Sequence, residues 1–325
     1  MPDVLVTGGS GFIGGAVLHR LVAEGREVRA LARSEAAAVR VAAAGAQPVR
    51  GDVTDPESLS RAVAGCRVVY HVAGLNVSCL RDPGRLDLVN VEGTRNVVAA
   101  AAAAGVERIV YTSSAAAIGS PAGVVGVEST PHRGYYLSRY ERSKHLAEKV
   151  ALVDSRRLGV DLVAVDPSSV QGPGRTGGTA RIFIAYLRGR LRLAIRTQFS
   201  LVSIGDTVEA HLLAERAGTP GKRYLVSGWS TTTADVVATL SRVTGVTHRV
   251  RYLPGWAISL AATAGGAFGK IARRDVPLCP EVARTLRHGH AVDGSRAERE
   301  LGLRYTPPEV WLAETVGWYR KEGLV

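Results

Sequence analysis

Residues 7–14 read Thr7-Gly8-Gly9-Ser10-Gly11-Phe12-Ile13-Gly14, directly after the apolar run Val4-Leu5-Val6 and at the start of a helical pattern over residues 12–24. The three spaced glycines have separable uses. Gly8 permits a tight turn, Gly11 lets backbone approach a diphosphate, and Gly14 lets helix and strand pack closely. Unpaired N–H groups at the helix N-terminus then face the anion. A glycine triplet alone is a weak signal. Its position between the first strand and the first helix of a repeating strand–helix chain makes it decisive.

Outward from this turn the cycle repeats. Strands are predicted over residues 27–32, 47–50, 68–72, 108–112 and 160–165, with helices over 36–44, 56–64, 85–104 and 136–158. Apolar strands alternating with amphipathic helices predict a parallel sheet covered on both faces, with ligands at the carboxyl ends of its strands. The fold class is α/β, a Rossmann-type doubly wound parallel sheet with a smaller C-terminal substrate-binding lobe. The division is placed at residues 1–170 and 171–325, with some distal segments returning to the first domain. Beyond Pro167 the regularity weakens. A helix is expected over 179–190, a strand over 223–226, a helix over 233–244 and a strand over 249–253.

The chain has 325 residues, 46% of them hydrophobic and 22% charged, which excludes a disordered chain. Cys66, Cys79 and Cys279 lie far apart without a CxxC or a Cys/His cluster, so neither a disulfide scaffold nor a metal site is expected. The net charge of +12 raises the question of nucleic acid, but the basic residues are 36 Arg and 5 Lys scattered singly, and aromatics are 6%. Nucleic acid is therefore not expected as a partner. Charge is uneven: residues 1–177 carry 20 basic against 17 acidic side chains, and 178–325 carry 21 against 12. That imbalance fits either an anionic partner or an Arg-rich solvated surface. The longest uncharged run, residues 252–269, contains Pro254, Gly255, Gly265 and Gly266 and reads as a buried or surface-docked helix, not a membrane span. With no secretion-type leader in the N-terminal residues, a cytoplasmic protein is expected.

The second strand runs Val28-Arg29-Ala30-Leu31-Ala32-Arg33-Ser34. Where an acidic residue would accept from the adenosine ribose, this chain has Ala32 and Arg33. A guanidinium there, with Ser34 beside it, suits a 2′-phosphate, so NADP(H) is expected over NAD(H). Asp52, followed by Val53, ends the third strand where it could meet the adenine amino group.

Tyr140-Glu141-Arg142-Ser143-Lys144 places a tyrosine and a lysine on one helix face, and Tyr111-Thr112-Ser113-Ser114 ends a strand near the expected nicotinamide. Hydride transfer at a carbonyl needs a proton donor or acceptor within hydrogen-bond reach. Tyr140 is the expected acid/base, with Lys144 lowering its pKa and anchoring the nicotinamide ribose. Ser114 is the expected carbonyl-oxygen donor. Ser113 stays as the fallback, because spacing cannot separate neighbours.

With these residues in place, the chain resembles the extended short-chain dehydrogenase/reductase family. The resemblance rests on the glycine turn, Gly51-Asp52-Val53-Thr54-Asp55, His71-Val72-Ala73-Gly74, Val89-Asn90-Val91-Glu92-Gly93-Thr94, Thr112-Ser113-Ser114, the Tyr140/Lys144 pair and Pro167-Ser168-Ser169-Val170-Gln171-Gly172-Pro173. Glu300-Leu301-Gly302 and Trp318-Tyr319 extend it to the end. It implies that Thr7, Gly8, Ser10, Gly11, Phe12, Ile13 and Gly14 hold the cofactor together with Thr112, Ala73 and Gly74. Asn90 would support the catalytic network, and Pro167, Ser169 and Val170 would pass beside the nicotinamide. A homodimer pairing the Tyr140 helices would be usual for the family.

The chain looks most like the dihydroflavonol-reductase and 3β-hydroxysteroid-dehydrogenase group and the hopanoid-associated sugar-epimerase relatives. It lacks the Arg and Asn that many nucleotide-sugar enzymes carry on the strand occupied here by Leu162-Val163-Ala164-Val165-Asp166. The leading function is an NADP(H)-dependent ketoreductase or alcohol dehydrogenase on a mid-sized apolar or polycyclic small molecule. The alternatives are an NAD-retaining sugar or nucleotide-sugar epimerase/dehydratase, and a nucleotide-binding protein without catalysis. Phe183, Tyr186, Leu187, Trp256 and Phe268 are candidates for an apolar pocket or for core, Arg175, Arg181 and Arg188 for an anionic group or for solvent, and Asp166 for substrate contact or a structural strand end. His71 and His211 read as scaffold.

Overall fold

The computed structural model describes residues 3–80, 82, 84–271 and 279–325, the side chains of 264 and 266–271 excepted. β1 (Val4–Thr7) leads into α1 (Phe12–Ala23), then β2 (Val28–Ala32), α2 (Glu35–Ala43), β3 (Gln47–Arg50), α3 (Pro56–Val63) and β4 (Val68–His71). A short turn α4 (Gly84–Leu86) widens into a π-helical segment, Asp87–Glu92, that continues as α5 (Gly93–Ala103) into β5 (Arg108–Thr112). A 3₁₀ turn (Ala115–Ile118), α6 (Arg139–Leu158) and β6 (Asp161–Pro167) follow. Val4, Leu5 and Val6 of β1 are buried on both faces, as a central parallel strand requires.

The described strands form a seven-stranded sheet of order β10-β6-β5-β4-β1-β2-β3, every pair parallel, where β10 is Arg223–Val226. Strand order reverses between β1 and β4, which opens a crevice at their carboxyl ends. Val17, Leu18 and Leu21 of α1 cover one face together with α8 (Ile204–Ala217), and Leu59, Val97, Val98, Ala147 and Ala151 of α3, α5 and α6 cover the other.

The distal chain builds β7 (Ser169–Gln171), α7 (Ala180–Leu187), β8 (Leu193–Ile195) and β9 (Gln198–Ser203) before α8, then β11 (Trp229–Thr232), α9 (Thr233–Thr244) and β12 (Arg251–Leu253). It ends in α10 (Gly255–Ile271), α11 (Pro280–His288), α12 (Ser295–Leu301) and α13 (Pro308–Lys321). β11-β9-β7 form a small sheet and β12-β8 a parallel ribbon. Segments beyond residue 171 do return to the first sheet: β10 adds its edge strand beside β6, and α8 packs on α1.

Four expectations are corrected. The helix placed over 85–104 carries the π-helical segment, which holds Asn90 inward. The Tyr140 helix starts at Arg139, not at 136, because Ser138 Oγ caps it by accepting from Glu141 N at 3.1 Å. Phe183 and Tyr186 are core, packed with Leu240 and Trp311, so they line no pocket. Cys79 and Cys279, 200 residues apart in sequence, are joined in a disulfide with Cα atoms 6.0 Å apart, a pairing that only the folded chain brings about. The side chain of Phe268 lies outside the described residues, and Trp256 is exposed.

Candidate active site

At the β1–β4 crevice the glycine turn is closed by backbone. Gly8 has φ +74, and a Cβ there would stand 2.7 Å from Ala73 N. A Cβ on Gly14 would stand 2.2 Å from Gly8 O, so the helix can approach its own turn only with glycine. The resulting cleft has a volume of about 290 Å³ and is lined by Gly8, Ser10, Gly11, Phe12, Ile13, Gly14, Arg33, Asp52, Val53, Ala73, Gly74, Thr112, Ser113, Tyr140, Lys144 and Arg175, among others. These residues, from seven separate stretches of sequence, thus meet in one groove.

A second cavity, of about 260 Å³, adjoins it and is lined by Ser114, Ala115, Tyr140, Pro167, Ser169, Ile182, Thr197, Phe199, Leu286 and His290, among others. Tyr140 and Asn76 belong to both walls. The two serines divide: Ser113 faces the first cleft and Ser114 the second. Ser113 Oγ is buried without a hydrogen-bond partner among the described residues, whereas Ser114 Oγ accepts from Ala116 N at 3.2 Å and lines the second cavity with Tyr140.

Burial holds the Tyr140 phenol above its ordinary pKa, while the Ser114 hydroxyl and the Arg175 guanidinium pull the other way. The phenol therefore rests in its protonated form at neutral pH and is suited to donate. Lys144 is buried, and its ammonium donates to Thr112 O at 2.8 Å and stands 5.1 Å from the Tyr111 ring centre. Desolvation brings Lys144 down to about 8, opposed by the carboxylates of Glu148 and Asp166. The Arg175 guanidinium also favours the Tyr140 phenolate, a contribution that sequence spacing does not mark. Arg175 comes from the loop after β7, and its guanidinium carbon lies 5.4 Å from the Phe12 ring centre.

Several expected residues stand behind the walls. Asn90 accepts from Leu75 N at 2.7 Å and donates to Leu75 O and Ser143 Oγ, tying the β4 loop to α6 without reaching either cavity. Thr7 accepts from Ala73 N at 3.1 Å. Because Thr94 Oγ1 donates to Asn90 O, it must accept from His71 Nε2; His71 Nδ1 then accepts from Thr7 Oγ1 at 2.8 Å. This one-way chain keeps His71 neutral, and burial pushes it down to about 3. Ser34 Oγ caps α2 by accepting from Ala37 N and lines neither cavity; Val170 packs in the core. Asp166 is fully buried and also lines neither. Burial and the neighbouring Glu148 raise its carboxyl well above the usual range, as befits a structural strand-end group.

Sequence reasoning missed His290, Ile182 and Leu286 as cavity residues. His290 donates from Nε2 to Ala115 O at 3.0 Å, and burial brings it down to about 4. No local pattern announces these side chains, which come from α7, α11 and the segment after it.

A family model described as the NAD dependent epimerase/dehydratase family matches residues 4–227. The chain is 32% identical over 333 residues to sterol demethylase protein B of Methylococcus capsulatus, covering 99% of each. It is 31% identical over 303 residues to a 4-hydroxy-2-methyl-3-oxo-4-farnesyl-3,4-dihydroquinoline-1-oxide ketoreductase of Stigmatella aurantiaca, covering 91% of this chain and 90% of that one. The crystal structure of gox2253 superposes with a TM-score of 0.86 at 28% identity over the whole of both chains. With its cofactor crevice, strand-end serines and helix-borne Tyr and Lys, the chain belongs to the NAD-dependent epimerase/dehydratase family and is an NAD(P)-dependent oxidoreductase of the extended short-chain dehydrogenase/reductase type.

Proposed function

We propose that the protein is an NADP(H)-dependent reductase of an apolar, polycyclic or long-chain ketone, or the dehydrogenase of the corresponding alcohol. The observation that carries this reading is Tyr140, which borders both cavities and shares the second with Ser114. The glycine turn, the unpartnered Ser113 Oγ and the exposed Arg33 fit a dinucleotide in the first cleft. When bound, the nicotinamide supplies or accepts the hydride. The chain's own residues do the rest. Ser114 and Tyr140 hydrogen-bond the carbonyl oxygen, and Tyr140 delivers the proton to the nascent alkoxide. Lys144 and Thr112 hold the ribose end, while Asp52 and Arg33 serve the adenosine end. Residues from 171 onward supply much of the wall of the second cavity, which gives the 1–170 and 171–325 division its functional sense. The relatives named for a sterol and for a farnesylated quinoline support an apolar substrate.

Arg33 lines the cleft and has no side-chain partner among the described residues, so its guanidinium is available to a 2′-phosphate. Arg33→Ala is expected to weaken NADPH binding about 10- to 100-fold, the worth of a charge-assisted bidentate contact, and to leave NADH nearly unchanged. Fluorescence titration of both cofactors measures this. An equal response to the two, or NAD retained through purification, would favour the epimerase reading instead.

Arg175 supplies a second test. Loss of a cation raises the Tyr140 pKa, so in the alcohol-oxidising direction, where the phenolate is the base, Arg175→Met should move the acid limb of kcat/KM upward by about one pH unit. Arg175→Lys should restore much of the shift. A profile identical to wild type would remove Arg175 from the mechanism.

A further inference from the structure

The β8–β12 ribbon and the start of α10 carry apolar side chains that stand exposed among the described residues. Leu193 is 55% exposed, Leu253 39%, Trp256 62% and Leu260 64%. They lie on the ribbon and on α10, which follows β12 directly in the chain. Parallel register places Arg251 opposite Leu193 and Leu253 opposite Ile195, so all four share one ribbon face, on which Ile195 is buried and the other three are exposed. Trp256 and Leu260 then fall four residues apart on one side of α10, with Ala262 buried on the other.

Charge surrounds this surface. Arg190, Arg192, Arg196, Arg249 and Arg251 are all exposed, and none has a carboxylate partner among the described residues. Arg196 lies against the Tyr252 ring at 5.3 Å. Asp235, the carboxylate that acts on Tyr252, is committed to Thr232 at the start of α9. An apolar centre containing a tryptophan and rimmed by unpaired arginines suits an interface whose surface is anionic and whose interior is hydrocarbon. Nucleic acid would answer the arginines but not the protruding Leu193, Leu253 and Leu260.

The surface also adjoins the mouth of the second cavity. Thr197, Gln198 and Phe199 of that cavity follow directly from β8 and Arg196, and Thr285 and Leu286 sit on α11, whose Arg287 bonds Ser259 of α10 at 3.1 Å. We propose that this face docks peripherally on an anionic lipid bilayer, presenting the cavity mouth to the membrane surface. No described helix is long and apolar enough to cross a membrane, so the contact is one of lying on the bilayer.

The test is flotation of the full-length protein with vesicles of phosphatidylcholine alone and of phosphatidylcholine with 30% phosphatidylglycerol, at low and at high salt. Wild type should float with the anionic vesicles, at least tenfold less with neutral ones, and less at high salt. Trp256→Ser/Leu260→Ser and Arg192→Glu/Arg251→Glu should each lose at least tenfold in partitioning while keeping NADPH affinity and thermal midpoint, which shows that the fold survives. Failure of wild type to bind anionic vesicles, or unchanged binding by both double variants, would overturn the proposal. Tighter binding to single-stranded DNA than to vesicles would overturn it too. The readout is independent of turnover, so the docking face and the reductase assignment stand or fall separately.

Discussion

Replacing Tyr140 by Phe is expected to lower kcat by two to four orders of magnitude while leaving cofactor affinity within about twofold of wild type. The first figure is the usual worth of a positioned acid/base group. The second follows from geometry: the ring remains in the wall between the cavities, and only the hydroxyl is lost. Protonation is the step affected. Without the phenol the nascent alkoxide must take its proton from water, and Ser114 alone polarises the oxygen. Steady-state kinetics on a panel of apolar ketones, paired with an NADPH titration, separates loss of chemistry from loss of binding. A fully active variant would end the proposed mechanism, whatever the substrate.

Acid should unfold the protein steeply. His71, His211 and His290 are held neutral by burial, with pKa values brought down to about 3, about 4 and about 4. In the unfolded chain each takes a proton near pH 6.5. Between pH 6 and 4.5 the unfolded state therefore binds about three more protons at these sites, and stability present above the unfolded pKa is lost as pH falls. Asp166 works in the opposite sense. Its raised pKa lets the folded state keep a proton the unfolded state has released, and Glu141, raised mainly by its burial, adds to that. The net is one to two protons, or about 1.5–3 kcal/mol lost per pH unit. Against a typical total of about 5–15 kcal/mol this is large. Urea midpoints at about pH 6, 5 and 4.5, the window of that proton excess, should fall in sequence; flat midpoints would show that these histidines titrate normally.

What the sequence made legible was chemistry written in consecutive residues. The glycine turn is such a case, because each glycine answers to a contact made within its own strand, turn and helix or with the neighbouring β4 loop. Tyr140 and Lys144 were legible as a pair on one helix. Arg175, whose charge also favours the Tyr140 phenolate, was not legible beside them, because it comes from a loop 35 positions later in the chain. Spacing could not separate Ser113 from Ser114 either, since only the extended backbone at the end of β5 decides which side each takes. The cavity walls from α7 and α11 carry no motif at all. By contrast, α8 went unmarked although a signal was present: Ser203 caps it by accepting from Asp206 N at 2.9 Å, three residues on, the local pattern that opens a helix. The Cys79–Cys279 link belongs to the group that no local pattern reveals.

The return of residues 223–226 to the edge of the first sheet has a consequence for the newly made chain. As translation proceeds, residues 1–171 can form a six-stranded sheet whose outer strand, β6, offers unpaired backbone and the side chains of Val163 and Val165, all later buried. That edge closes only after β10 has left the ribosome exit tunnel, more than fifty residues behind. Until then the half-made protein is an adhesive intermediate, and the pace of synthesis across that interval governs how much of it survives to pair with its own strand.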